Sequence, residues 1–136
     1  MISYKNIETK QSINKKVKLW IKDIIANENK TCGDILIIFC SDEYLLKKNI
    51  KYLKHNNYTD VITFDYCIDN ILSGDIFIST ERVAENAIQY SVSYEHELYR
   101  VIAHAILHLA GYNDKSLNEK KIIKEKENHY LKFITI

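Results

Sequence analysis

The stretch that decides the fold runs from His104 to Asp114 and reads His-Ala-Ile-Leu-His-Leu-Ala-Gly-Tyr-Asn-Asp. Histidines four apart on a helix lie on nearly one face, so His104 and His108 can converge on one cation. Gly111 follows where the apolar helix needs to end, since glycine accepts the left-handed conformation that turns a chain back. Asp114 can then bring a carboxylate to the open side of the same ion. The stretch predicts a three-ligand metal site at the end of a buried helix.

The spacing of these residues is that of the metzincin pattern H-E-x-x-H-x-x-G-x-x-H, with two departures. Ala105 stands where the general-base glutamate would be, and Asp114 stands where the third histidine would be. The alternative is a pair of ordinary core histidines, each bonded to a carbonyl. The metal site is favoured over this alternative, because Gly111 and Asp114 also stand at the positions that the pattern requires. The pattern therefore predicts a metal site that lacks the base of a metallopeptidase, and it leaves the reaction type open.

Composition is that of one globular α+β domain over residues 1–136, with 46% hydrophobic and 27% charged residues. No apolar run approaches the roughly 18 residues of a membrane span, and the first residues lack the pattern of a signal peptide. Three cysteines without C-x-x-C spacing predict a reducing cytoplasm, with Cys40 packed inside. The net charge of +1 does not indicate a nucleic-acid protein. The lysines of 115–132 are interpreted mainly as solvated surface, with a patch facing a polyanion as the alternative.

Apolar periodicity predicts a small mixed sheet of about four strands packed with about five helices. The strands are expected at 2–8, 34–40, 60–64 and 74–79, and the helices at 12–26, 41–54, 80–92, from 93 to the stop at Gly111, and 116–131. Residues 35–64 are expected to form a right-handed β-α-β unit. An antiparallel pairing is expected for 60–64 and 74–79, because only a loop separates them.

Several local features refine these elements. The helix starts are expected at Ser12, Ser41, Ser93 and Ser116, the last with a capping box to Glu119. The strand at 34–40 is expected to be central and covered on both faces. The second helix is expected to turn Leu46, Ile50 and Leu53 inward.

Three stretches together resemble the YbeY family of bacterial endoribonucleases, also called rRNA maturation factors. They are Thr59-Asp-Val-Ile-Thr-Phe64, Gly74-Asp-Ile-Phe-Ile-Ser79 and His104–Asp114, and the resemblance covers essentially the whole chain. It implies a zinc-dependent, single-strand-specific endoribonuclease that matures the 3′ end of small-subunit rRNA, with the ribosome as partner. It also implies one zinc per chain, with His104, His108 and Asp114 as its ligands.

Two positions depart from the family pattern. The third ligand is most often histidine in the family, and Asp114 is expected to keep zinc while shifting preference towards harder ions such as Mn²⁺. Asp75 is the alternative third ligand. An arginine that the family implies for phosphate binding is replaced by Leu53, which is expected to be a buried helix residue. Its role would fall to another cation, and the candidates are Lys51, Lys54, Arg82 and Lys115.

A metal held by three protein ligands has a fourth position for water, whose pKa it lowers towards ~7. No general base is assigned, although Asp60 and Glu97 are the nearest carboxylates in the motifs. Tyr58, Tyr66 and Tyr112 could stack on bases; packing is the favoured interpretation for the first two.

The remaining histidines, His55, His96 and His129, are interpreted as surface residues. Two other functions stay open from the residues alone. One is a metallopeptidase-like hydrolase, and the other is a non-catalytic ribosome-assembly factor with a structural metal.

Overall fold

A computed structural model describes residues 1–54 and 58–134. Its elements are β1 (Ile2–Ile7), α1 (Lys15–Asn27), β2 (Thr31–Cys40), α2 (Asp42–Lys48), a π-helical turn (Asn49–Leu53), β3 (Val61–Asp65), β4 (Ile71–Ser79), α3 (Thr80–Gln89), α4 (Tyr94–Leu109) and α5 (Leu117–Leu131). The four strands form one mixed sheet in the order β1-β2-β4-β3. The predicted α+β architecture is confirmed.

The order of the strands corrects one prediction. β1 pairs with β2 and β2 with β4, both in parallel, while β3 runs antiparallel to β4 at the edge. The predicted antiparallel pairing is confirmed, but the predicted β-α-β unit over 35–64 is wrong because β3 does not lie beside β2. β4 takes the central place since its second half is buried without interruption, whereas β3 buries only Ile62.

The face and the start of two helices also differ from prediction. In α2 and the turn after it Leu45 and Asn49 are buried, whereas Ile50 and Leu53 are 45% and 44% exposed. The inward face is therefore displaced from the predicted one, and Leu53 is not a buried residue. Helix α1 is capped by Asn14 rather than Ser12, because the Asn14 side chain accepts a hydrogen bond from the Val17 amide.

The other predicted helix starts are confirmed. Ser41, Ser93 and Ser116 each accept a hydrogen bond from a backbone amide three residues on, and Ser116 forms its capping box with Glu119. At the other end of α4, Gly111 has a φ of +112°, a conformation that residues with a side chain rarely adopt. The chain therefore turns at the predicted glycine and carries Asp114 back past the helix.

Apolar side chains form a core on each face of the sheet. Ile35 and Ile37 of β2 belong to the larger cluster with α1, α4 and α5, while Ile38 and Cys40 pack with Leu45 of α2. The predicted central strand is thus covered on both faces. Burial raises the pKa of the Cys40 thiol to about 12, so this cysteine is an inert packing group, as predicted. Helix α4 lies inside the larger cluster and brings His104 to its edge.

Candidate metal centre

His104 stands between two carboxylates. Its Nδ1 lies 2.6 Å from Glu127 Oε2, and its Nε2 lies 3.4 Å from Asp114 Oδ2. The Glu127 carboxylate accepts a hydrogen bond from Nδ1–H, so the other ring nitrogen is directed to Asp114. A histidine whose second nitrogen is held by a carboxylate is the usual arrangement of a metal-binding imidazole.

The separation of the His104 and Asp114 donor atoms suits one shared cation. Two bonds of about 2.05 Å at a tetrahedral angle place their donor atoms about 3.3 Å apart. His108 lies one turn further along α4 and is exposed. Among residues 1–54 and 58–134, no three His, Cys, Asp or Glu side chains lie close enough together to hold a metal ion. The pair fits a metal, and the set with His108 stays a prediction.

The electrostatics at His104 favour its charged form. Burial opposes the imidazolium, but the hydrogen bond and charge of Glu127, together with Asp114, outweigh it and raise the pKa of His104. A cation that binds Nε2 must displace this proton, so metal binding and protonation compete at His104.

Arg100 pairs with three carboxylates next to His104. Its guanidinium contacts Glu97 at 2.8 and 2.9 Å, Glu127 at 3.3 Å and Asp60 at 3.4 Å. Burial opposes the charge of Arg100, but the three carboxylates outweigh it and raise the pKa of Arg100. Glu97 and Glu127 are only 1% and 3% exposed and need such a partner, because an unpaired buried charge is strongly unfavourable. Arg100 therefore fixes the carboxylate that holds His104.

A cavity of about 220 Å³ adjoins the His104–Asp114 pair; it is lined by Asp60, Val61, Arg100, Val101, His104 and Asp114. Burial raises the pKa of Asp60, although the charges of Arg100 and His104 act in the opposite direction. Of the two carboxylates that the sequence suggested, Asp60 lines this cavity and Glu97 does not. A carboxyl group with a raised pKa thus lies beside the candidate metal pair.

The loop that carries Asp114 is anchored by Tyr112. The Tyr112 hydroxyl donates to Glu28 Oε1 at 2.7 Å, and Tyr130 and Lys126 donate to the other Glu28 oxygen. Burial raises the pKa of Glu28, but these three donors outweigh it, and the net pKa is lowered. Tyr112 therefore positions the loop through its hydroxyl, two residues before Asp114, while its partly buried ring packs against the core.

The two other tyrosines are surface groups. Tyr58 is 46% exposed and donates to Glu43 at 2.6 Å, and Tyr66 is 57% exposed with its hydroxyl 3.5 Å from Asp75. Asp75 lies within β4 and does not line the cavity at His104. The structure thus brings Asp114, and not the alternative Asp75, to His104.

The predicted RNA-binding cations are in different states. Arg82 is held by Asp42 at 2.7 Å and Glu85 at 3.3 Å and packs on the Tyr58 ring, so its charge is already neutralised. Lys54 is exposed at the end of the π-helical turn, and Lys115 is exposed next to Asp114. Of these cations, Lys115 is nearest in sequence to the candidate centre. Lys51 packs over the Tyr52 ring.

One of the three outlying histidines differs from its surface interpretation. His96 is half-buried, and its Nδ1 is buried without a hydrogen-bond partner among the described residues. The side chain lines a groove that leads to His104. His129 is exposed, as predicted, and its ring contacts Tyr130 and Phe133. His55 lies outside the described residues.

Sequence reasoning missed Glu127 and Arg100, the two residues that hold His104 in place. The signal for Glu127 was available, since Ile123 and Tyr130 lie four residues before it and three after it on the same helix face. A glutamate on a buried face is rare unless it has a partner. Arg100 carries the same signal on a helix that is otherwise buried on most sides.

Comparison with known proteins gives one consistent result. The family model described as Endoribonuclease YbeY matches residues 3–135. A protein of that name from Azobacteroides pseudotrichonymphae is 47% identical over 98% of this chain and 97% of its own length. Another, from Phocaeicola vulgatus, is 46% identical over the full length of both chains. The solution structure of a Thermotoga maritima protein superposes with a TM-score of 0.68 at 30% identity, covering 97% of this chain and 87% of that one.

Proposed function

The chain belongs to the endoribonuclease YbeY family and is a hydrolase that cuts RNA internally, and we propose that it does so with one zinc ion held by His104, His108 and Asp114. We further propose single-stranded regions of ribosomal RNA precursors as the substrate, the 3′ end of small-subunit rRNA as the region processed, and the ribosome as partner. These finer assignments rest on the resemblance and on the chemistry of the site.

The observation that carries the metal assignment is the pair of contacts at His104. Glu127 holds one ring nitrogen, and the other faces Asp114 at the donor separation of a tetrahedral ion. His108 completes the set from the next turn of α4, because residues four apart share a helix face. A carboxylate among the ligands leaves Mn²⁺ as a competing native metal.

A bound zinc would supply Lewis-acid stabilisation of a phosphodiester and a more acidic water. The remaining tasks belong to the chain. Glu127 and Arg100 keep His104 in one orientation, and the Tyr112–Glu28 contact keeps the Asp114 loop in place. Asp60 presents a carboxyl group with a raised pKa in the adjoining cavity, where it would take a proton from the attacking water or give one to the leaving oxygen.

The experiment that tests the site is zinc content by mass spectrometry on wild type, His108→Ala and Asp114→Ala, followed by cleavage of single-stranded and duplex RNA. About one zinc per chain in wild type, lost in both variants together with cleavage, is the expected result. Zinc retained in Asp114→Ala would mean that the third ligand lies elsewhere. Casein incubated in parallel tests the metallopeptidase alternative, which Ala105 disfavours because it is fully buried and carries no carboxylate.

We place this activity in the cytoplasm. Support comes from the three cysteines, which are all unpaired, as a reducing compartment would keep them. Across residues 1–54 and 58–134, no helix combines the length and apolar character needed to cross a bilayer.

A further inference from the structure

A groove of about 490 Å³ runs between α4 and α5; it shares His104, Asp114 and the buried charged residues next to them with the candidate metal centre and extends beyond them. It begins at His104 and Asp114 and ends at Tyr90 and Val92, where α3 gives way to α4. Its α4 side carries His96 and His104, which are eight residues and therefore about 12 Å apart along the helix. The groove is continuous with the candidate centre and long enough to hold the part of a polymer that extends beyond the reacting group.

The α5 wall of the groove carries two lysines. Lys120 and Lys124 are four residues apart, so they lie on the same helix face, and both are exposed. Neither has an ion-pair partner in the described part of the chain, whereas Lys126 is bound to Glu28. Of the three acidic groups of the groove, Glu97 and Glu127 are already paired with Arg100, and Asp114 faces His104. The groove therefore offers two unneutralised positive charges at the spacing of one helical turn.

The rest of the lining suits a planar base. Ile123 is 3% exposed and, with Val92, provides an apolar surface, while the Tyr90 ring is 57% exposed at the far end. Every nucleobase has a face that can stack on such a ring. His96 lines the same groove with a half-buried imidazole.

We propose that this groove is a subsite for single-stranded RNA, with phosphates on Lys120 and Lys124 and a base on Tyr90 beside His96. The inference rests on the proposed function. It assigns the phosphate contacts to α5 rather than to Arg82, whose charge is neutralised by Asp42. The expected ligand is a single strand because its bases can turn away from the backbone into a groove, which paired bases cannot do.

The test compares two double variants of the zinc-loaded protein in steady-state cleavage of single-stranded RNA over a range of salt concentrations. Lys120→Ala with Lys124→Ala removes the groove charges. Lys121→Ala with Lys22→Ala removes the same net charge from exposed positions outside the groove, one of them on the same helix. Two lost phosphate contacts should flatten the slope of log(kcat/KM) against log[salt] by about 1.4, because each contact on a single strand contributes about 0.7. We expect KM to change and kcat to be retained. The slope of the control double variant should equal that of wild type.

A second pair of variants tests the base contact. Tyr90→Ala should raise KM at least about fivefold through lost stacking. Tyr66→Ala is its matched control, since both rings are 57% exposed and Tyr66 lies outside the groove. If the groove variants match their controls while wild type cleaves RNA, the subsite is wrong and the proposed function stands. If wild type does not act on single-stranded RNA, both inferences are wrong.

Discussion

Replacing Glu127 with glutamine tests the connection between the buried charge network and metal binding. Glu127 is 3% exposed, and its two oxygens accept separately, Oε1 from Arg100 and Oε2 from His104. Glutamine has nearly the same shape but only one oxygen, so one of these cationic donors would face an amide NH₂ group. The variant therefore removes one charge-assisted hydrogen bond and leaves a buried donor unpaired.

Two magnitudes follow from this geometry. A hydrogen bond to a charged group contributes about 1.5–3 kcal/mol, so the free energy of unfolding of the metal-free protein should fall by about that amount. Loss of the carboxylate that orients a metal-binding histidine usually weakens metal affinity 10- to 100-fold, or about 1.4–2.8 kcal/mol. Urea denaturation measures the first quantity, and zinc competition against a chromophoric chelator measures the second.

The matched control is Glu125→Gln, which removes the same charge from an exposed position two residues away on α5. It should leave both quantities within experimental error of wild type. If Glu127→Gln lost stability but bound zinc as tightly as wild type, Glu127 would not orient a metal ligand, and its contact with His104 would serve stability alone.

Three further predictions concern the same region. Tyr112→Phe should lower the free energy of unfolding by about 1.5–3 kcal/mol in urea titrations. Because the pKa of Glu28 is lowered from its ordinary 4.5, this loss should be complete above pH 4.5 and disappear as pH falls through the folded value; a loss that persisted in acid would refute a role for the charge. Gly111→Ala should cost about 1–2 kcal/mol by thermal unfolding, since φ is +112° although no atom lies within 4 Å of the added Cβ. Zinc affinity measured by chelator competition should fall about tenfold per pH unit below the raised pKa of His104, because a proton must leave Nε2; a flat profile there would contradict ligation by His104.

The sequence predicted helices correctly where a clear apolar periodicity was flanked by residues that begin or end a helix. The buried helix α4, its start at Ser93 and its end at Gly111 follow from features within a few residues of each other. The partner of a strand is a different matter, because it depends on contacts that are distant in sequence. β2 pairs with β4, while β3, which precedes β4, lies at the edge. Nothing local to 60–64 distinguishes a parallel neighbour from an edge strand.

At the candidate site, the residues that the sequence did not predict are charged side chains. The metal ligands were predicted from their spacing, which can be read directly from the sequence. The structure brings two of them, His104 and Asp114, together. Glu127 and Arg100 have no such spacing, since their relation depends on how α4 and α5 pack. The predicted burial of Leu53 was wrong for a related reason. In a short helix, a one-residue change in the predicted pattern moves the inward face to different residues.

The sharing of one guanidinium by Asp60, Glu97 and Glu127 has a consequence for how this protein can change during evolution. Replacing Arg100 with an uncharged residue would leave three largely buried carboxylates without their shared cation. Loss of Glu127 would leave the Nδ1–H of His104 without its acceptor. Single substitutions at these positions are therefore strongly disfavoured, and we expect substitutions to be tolerated only when a partner residue changes as well. Across relatives of this chain, positions 97 and 100 should vary together, while a glutamate persists at 127 wherever a histidine occupies 104.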